Sequence, residues 1–242
     1  MSNLADILVS SALETPDGIA IVGEEGLNLS YSDLEHYVST VACGLEGLGI
    51  RRGDNVVYKL SNGPVATVLY FAILASGAVA VPVNPLLTYS ETRDVCTRTN
   101  ARLFFSEVDD HDPDVHILDC ERLETLPQGE GRLENVALGG KSPAVVFFTS
   151  GTTGRPKGVV LSHNNLRSNA DWVCGNSLAP EFWGPGHINT AVLPLSHSFA
   201  MTCSQNATLM AGATLTHLTR FNAGDLLRHI RQFGVTTVAL VP

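Results

Sequence analysis

From Leu60 to Tyr89 the chain carries no charged side chain, and Val65 to Val83 is largely apolar. A stretch of that length has to leave water, either into a bilayer or into a protein core. Gly77 and Pro82 decide between the two, because both interrupt a continuous helix. The helix that remains, Pro64 to Ser76, is about 20 Å long at ~1.5 Å per residue, short of the ~30 Å hydrocarbon layer of a bilayer. The stretch therefore reads as a buried helix, a turn at Gly77 and a buried strand over Ala78 to Val81, with no transmembrane segment expected. Val56 to Leu60 is a strand candidate just ahead of it. Strand, helix and strand in that order form the crossover unit of a parallel sheet.

The same alternation runs along the rest of the chain. Ser2 to Leu13 reads as a helix, closed by the turn Thr15-Pro16-Asp17-Gly18. Ile19 to Val22 and Leu27 to Leu29 make a hairpin around Glu24-Glu25-Gly26. Ser30 caps the next helix, with Asp33 forming an imperfect capping box. Leu34, Val38, Val41, Leu45 and Leu48 mark its apolar face, and Gly49 stops it. Ser90 caps a helix running to Thr99, and Leu103 to Phe105 is a strand. Asp109 to Asp114 and Gln128 to Lys141 read as connectors. Strands follow at Ala144, Val159 to Leu161, Thr190 to Leu193, Thr214 to Leu218 and Val235 to Val241, the last read as buried. Helices are expected from about Asn164, over Phe199 to Met210 and over Ala223 to Phe233. The class is α/β, with parallel sheets flanked by helices.

Chemistry concentrates in Phe148-Thr149-Ser150-Gly151-Thr152-Thr153-Gly154-Arg155-Pro156-Lys157-Gly158, immediately after the apolar run Ala144 to Phe147. A strand empties there into a loop of glycines, hydroxyls and one lysine, a composition suited to a polyphosphate. Glycine lets backbone amides approach phosphate oxygens, and lysine adds a point charge. Pro156 before the lysine and Gly158 after it depart from the commoner nucleotide-binding pattern, in which Lys is followed by Ser or Thr.

At these residues the chain resembles the adenylate-forming superfamily of acyl-CoA and aryl-CoA ligases, luciferases and peptide-synthetase adenylation domains. Leu29-Ser30-Tyr31-Ser32-Asp33-Leu34 is similar to that family's first conserved block, and Leu193-Pro194-Leu195-Ser196-His197-Ser198-Phe199 to the block lining its acyl pocket. The resemblance runs from about Ala5 to Pro242. It implies the amino-terminal portion of the large AMP-binding domain over 1–242, incomplete, with the C-terminal small domain absent. The implied reaction activates a carboxylic acid with ATP to an acyl-adenylate, and coenzyme A then displaces AMP. The resemblance assigns Thr149, Ser150, Gly151, Thr152, Thr153 and Gly154 to the ATP phosphates, Lys157 to the charge of the leaving pyrophosphate, and His197 to the acyl carboxylate. Lys157 and His197 are thus the catalytic candidates. Ser196, where relatives often carry an aromatic, and Ala200, where glycine is common, are two departures from the family's pattern in the block that shapes the pocket.

Amino-acid-activating relatives hold the substrate ammonium with an aspartate in this block. Leu195 to Met201 contains no acid, and a buried ammonium without a partner is costly. The expected substrate is a carboxylic acid without an α-amine, such as a fatty acid, with Phe199, Met201 and Leu209 as candidates for its apolar tail or for core packing. The family's Thr-Glu block, ribose-binding aspartate and C-terminal lysine have no counterpart, since no Thr-Glu dipeptide occurs. The magnesium-binding glutamate is missing with them. The isolated chain is expected to be inactive unless a C-terminal half is supplied by another chain. Two alternatives stand beside this reading: an acyl-AMP ligase loading a carrier protein, and a non-catalytic remnant that binds a nucleotide or a partner.

A formal net charge of -9 argues against nucleic-acid binding. The five cysteines lack metal-ligand spacing and fit a reducing, cytoplasmic setting, and no positively charged leader precedes Arg51. The acidic stretch Asp109-Asp110-His111-Asp112, with Asp114 and His116, reads as a solvated loop and not a metal site.

Overall fold

The computed structural model describes residues 3–109, 112–119, 122–130, 135–149, 156–176, 181 and 183–241. In chain order its elements are α1 (Asp6–Glu14), β1 (Ile19–Val22), β2 (Asn28–Ser30), α2 (Tyr31–Gly47), β3 (Asn55–Lys59) and α3 (Pro64–Ala75). Then come β4 (Val79–Pro82), α4 (Tyr89–Thr99), β5 (Leu103–Ser106), β6 (Val115–Ile117), β7 (Pro143–Thr149), β8 (Lys157–Ser162) and α5 (His163–Asn176). The series ends with β9 (Ile188–Ala191), a π-helix (Ala200–Asn206), α6 (Ala207–Met210), β10 (Thr214–His217), α7 (Ala223–Phe233) and β11 (Thr237–Val238).

These strands form two sheets, ordered β6-β5-β3-β4-β7-β8 and β11-β9-β10-β1-β2. Both are parallel through their middles and carry one antiparallel pair at an edge, β7 with β8 and β1 with β2. The expected parallel sheets are therefore mixed ones. Each antiparallel pair joins strands consecutive in the chain, so neither needs the crossover that a parallel pair does.

The uncharged run sits at the centre. Every residue of α3 is buried, with Pro64 at its first turn, where a missing N–H costs nothing. Gly77, at φ +76, turns the chain into β4. α3 packs on α2 and β4, while α2 packs on β1 and β2. The two helices form a layer between the sheets, and the main core draws Ile21 and Leu215 from one sheet and Val56, Ala80 and Val145 from the other. A smaller cluster of Val57, Val79, Val81, Val95, Phe104 and Val146 fills the far face of the first sheet, under α4.

The helix starts follow their caps. The Asp33 amide donates to Ser30 Oγ at 3.0 Å and the Ser30 amide to Asp33 Oδ2 at 3.0 Å, so the capping box is complete despite the short side chain. Leu34, Val38, Val41 and Leu45 are buried, whereas Leu48 lies beyond the last turn and is exposed. α4 is capped by Thr88 rather than the expected Ser90, because Glu91, three residues on, closes the box with Thr88.

Three expectations shift at the carboxy-terminal end. β9 ends at Ala191, not Leu193: the Ala191 carbonyl still accepts from the Leu218 amide at 3.0 Å, whereas the Leu193 carbonyl turns to the Asn62 side chain. The helix expected over Phe199 to Met210 is a π-helix over Ala200–Asn206. The strand expected to be buried over Val235 to Val241 pairs only at Thr237 and Val238, opposite Asn189 and Thr190. It is half-buried at the sheet edge, and Leu240 and Val241 are exposed.

Candidate functional site

The carboxyl ends of the parallel strands, where open α/β sheets take their ligands, frame a cavity of about 630 Å³. Val83 and Asn84 reach it from the end of β4, and Phe148 and Thr149 from the end of β7. Ser196 and His197 come from the turn after β9, so both sheets contribute to one wall. Glu91, Asp94 and Arg98 face it from α4.

Thr149 is the last residue of β7 and lies opposite Lys157, the first of β8. Its hydroxyl donates to the Lys157 carbonyl at 3.5 Å. The glycine- and hydroxyl-rich loop is thus the connection of a hairpin, not the strand-to-helix turn of the commoner nucleotide loops. Ser150, Gly151, Thr152, Thr153 and Gly154 lie outside the described residues. Lys157 is exposed at the hairpin mouth, and among the described residues the cavity wall takes Pro156 in its place.

His197 stands exposed on the cavity wall. Its amide donates to the Pro194 carbonyl at 3.0 Å, closing a tight turn, and its own carbonyl accepts from the Met201 amide at 3.1 Å. The preceding Leu195 amide donates to Asn62 Oδ1 at 2.9 Å. Beside His197, the Ser196 Oγ is buried and has no hydrogen-bond partner among the described residues. A buried hydroxyl without a partner costs about 1–3 kcal/mol. Ser196 is also a position that departs from the resembled family.

Two of the remaining charges pair with each other, and Glu91 is held by a helix cap. Asp94 holds Arg98 at 3.2 Å, and the guanidinium lies 4.9 Å from the Phe148 ring centroid. Hydrogen bonds from Thr88 hold the Glu91 carboxyl below its ordinary range. Among the described residues no group of three or more His, Cys, Asp or Glu is placed to hold a metal ion. In the acidic stretch, Asp112 is taken by Arg93 at 3.4 Å and by the Tyr89 hydroxyl at 2.5 Å, while Asp110 and His111 lie outside the described residues.

Of the three candidates for an apolar tail, Met201 and Leu209 are fully buried in the main core, and Phe199 is 45% exposed. Behind them the π-helix is buried and polar. Gln205 Oε1 accepts from the Thr67 hydroxyl at 2.8 Å, so that hydroxyl accepts in turn from His217 Nε2 at 2.9 Å. Burial pushes the His217 pKa down to about 3, and neighbouring His229 adds to the shift.

Residue-by-residue reading of the sequence missed Asn62 and Asn84. Both follow the carboxyl ends of apolar strands, the same signal that points to Thr149 and His197.

Comparison with known proteins adds a second line of observation. A sequence model described as AMP-binding enzyme matches residues 8–242. A feruloyl-CoA synthase of Amycolatopsis is 32% identical over 222 residues, covering 90% of this chain and 44% of that protein. The medium-chain fatty-acid–CoA ligase of Escherichia coli is 28% identical over 256 residues, covering 96% and 44%. ATP-bound MatB from Rhodopseudomonas palustris superposes with a TM-score of 0.85 at 26% identity, covering 98% of this chain and 48% of that one. The chain spans about half the length of the curated relatives it matches.

Proposed function

Because the chain belongs to the AMP-binding enzyme family, we propose that it forms the amino-terminal part of an acyl-CoA ligase's large domain and receives there a carboxylic acid and the phosphates of ATP. The observation carrying this reading is the meeting of Thr149, from one sheet, with Ser196 and His197, from the other, on one cavity wall. Supporting it, the Ser196 hydroxyl has no hydrogen-bond partner among the described residues. ATP supplies the adenylyl group and the pyrophosphate that leaves, and coenzyme A supplies the accepting thiol.

The residues divide the work by position. At the hairpin mouth, Thr149 presents a hydroxyl and Lys157 a cation to the phosphates. Ser150, Thr152, Thr153 and the amides of Gly151 and Gly154 belong to the same loop by sequence. Donors fixed before reaction stabilise the charge that develops on the leaving group without reorganising. On the same wall, the Ser196–His197 turn receives the acid's carboxylate and holds it for attack on the α-phosphorus, where the new O–P bond forms as the bond to pyrophosphate breaks. No acid occurs from Leu195 to Met201, so an α-ammonium would find no counter-ion there. The acid class is a non-amino aryl or fatty acid, and exposed Phe199 supplies the apolar surface beside His197.

Calorimetric titration with ferulate, octanoate and phenylalanine tests the reading. Ferulate or octanoate should bind at least about tenfold more tightly than phenylalanine, the least that an unpaired charge costs. His197→Ala should weaken the preferred acid. Phenylalanine binding as tightly as either of the other two acids would sink the proposal.

A further inference from the structure

Asn62 follows the carboxyl end of β3, in the first sheet, yet its side chain is spent on the second. Nδ2 donates to the carbonyls of Ala191 at 3.1 Å and Leu193 at 3.0 Å, and more weakly to Leu218 at 3.5 Å. Oδ1 accepts from the Leu195 amide at 2.9 Å. Ala191 is the last residue of β9, and Leu193 and Leu195 belong to the connector that delivers Ser196 and His197. That connector has left the sheet ladder, so a side chain from the opposite sheet supplies the bonds a neighbouring strand would have given. Asn62 is only 6% exposed, where such bonds compete little with water. Its own loop is held from behind, since the Ser61 amide and hydroxyl donate to the Glu107 carboxylate at 2.9 and 2.7 Å.

We propose that Asn62 is the positioning residue of the site: it fixes the Ser196–His197 turn of one sheet against the Thr149 strand end of the other. The cavity wall is assembled from two sheets, and its polar groups keep their spacing only if the strand ends keep theirs. Asparagine suits the task because one amide carries donors and an acceptor together. Aspartate would keep the acceptor for Leu195 but turn a carboxylate oxygen, with nothing to donate, toward the carbonyls of Ala191 and Leu193. The consequence for acid binding rests on the proposed role of His197.

Hydrogen exchange and side-chain NMR on the chain test this. In the wild-type protein the Leu195 amide and the Asn62 side-chain amide should exchange slowly; rapid exchange of both overturns the proposal without any variant. Asn62→Ala should speed Leu195 exchange by about tenfold or more and shift the His197 imidazole resonances, leaving the Val57 and Val145 amides of the first sheet protected. Asn62→Asp should shift the same resonances, because only half of the bonding is restored. Leu8→Ala, a core truncation of comparable cost away from the turn, should leave them in place. Unchanged Leu195 protection and unchanged His197 signals in both Asn62 variants overturn the tie. Ferulate should move the wild-type His197 signal at about tenfold lower concentration than in Asn62→Asp. Ferulate that leaves the wild-type signal unmoved overturns the acid-site reading of His197, and the exchange data still decide Asn62.

Discussion

Thr149 and Lys157 face each other across the open end of a hairpin, so the loop they bound is held at both ends by paired backbone. In the proposed reaction, a cation at one post of that frame acts most strongly when charge accumulates on the leaving pyrophosphate. Lys157→Ala should lower adenylate formation about hundredfold and change acid affinity little. The measurement is acid-dependent pyrophosphate release at saturating ATP, with the remaining part of the ligase supplied. A rate within twofold of wild type would make the lysine structural. The places of Thr149 and His197 in the fold were legible because one ends an apolar strand and the other comes just after one. Asn62 was not, for a reason of distance. Before Gly63 and Pro64 it has the composition of an ordinary turn, and its partners lie between 129 and 156 residues away.

Among the elements, α7 kept its expected bounds because both ends are chemically marked: Asn222 accepts from the amides of Gly224 and Asp225, and Gly234 takes the left-handed conformation at φ 66. The π-helix was hidden, since apolar spacing does not separate an i+5 ladder from an i+4 one over seven residues, and the buried polar side chains that accompany it find partners only in three dimensions. Gly44 was hidden likewise. It stands inside α2, where a side chain is normally welcome, but an added Cβ would come 2.4 Å from the Pro127 carbonyl oxygen, and the atoms it meets are backbone. Gly44→Ala should therefore destabilise by about 3 kcal/mol. Gly47→Ala, one turn on with open space around it, should be neutral or gain up to ~1 kcal/mol. Urea unfolding of the two variants checks the contrast, and equal midpoints would contradict it.

Across the whole molecule, two histidines, His163 buried and His217 half-buried, tie distant parts together. His163 Nδ1 accepts from the Leu4 amide at 3.0 Å, and His217 bridges to α3 through Thr67. Burial holds the His163 pKa at about 4 and that of His217 at about 3, both below the unfolded value near 6.5. The unfolded chain then binds more protons, so stability is full above pH 6.5 and falls as pH drops toward 4. By pH 4.5 the loss should be on the order of 2 kcal/mol for each histidine. Melting temperatures from pH 7.5 to 4.5 should decline, and His163→Gln should flatten the slope; a flat wild-type profile would rule the effect out. The burial of α3 has a further consequence, in time. Its cover comes partly from α2, made before it, and partly from β4 and β10, made after it. At a ribosome adding about 5–20 residues per second, β10 arrives on the order of ten seconds after the helix is complete. During that interval a charge-free segment waits without its final shelter, and folding becomes a race between its own later strands and any other exposed chain nearby. Dilution or a chaperone slows the second runner and leaves the first untouched.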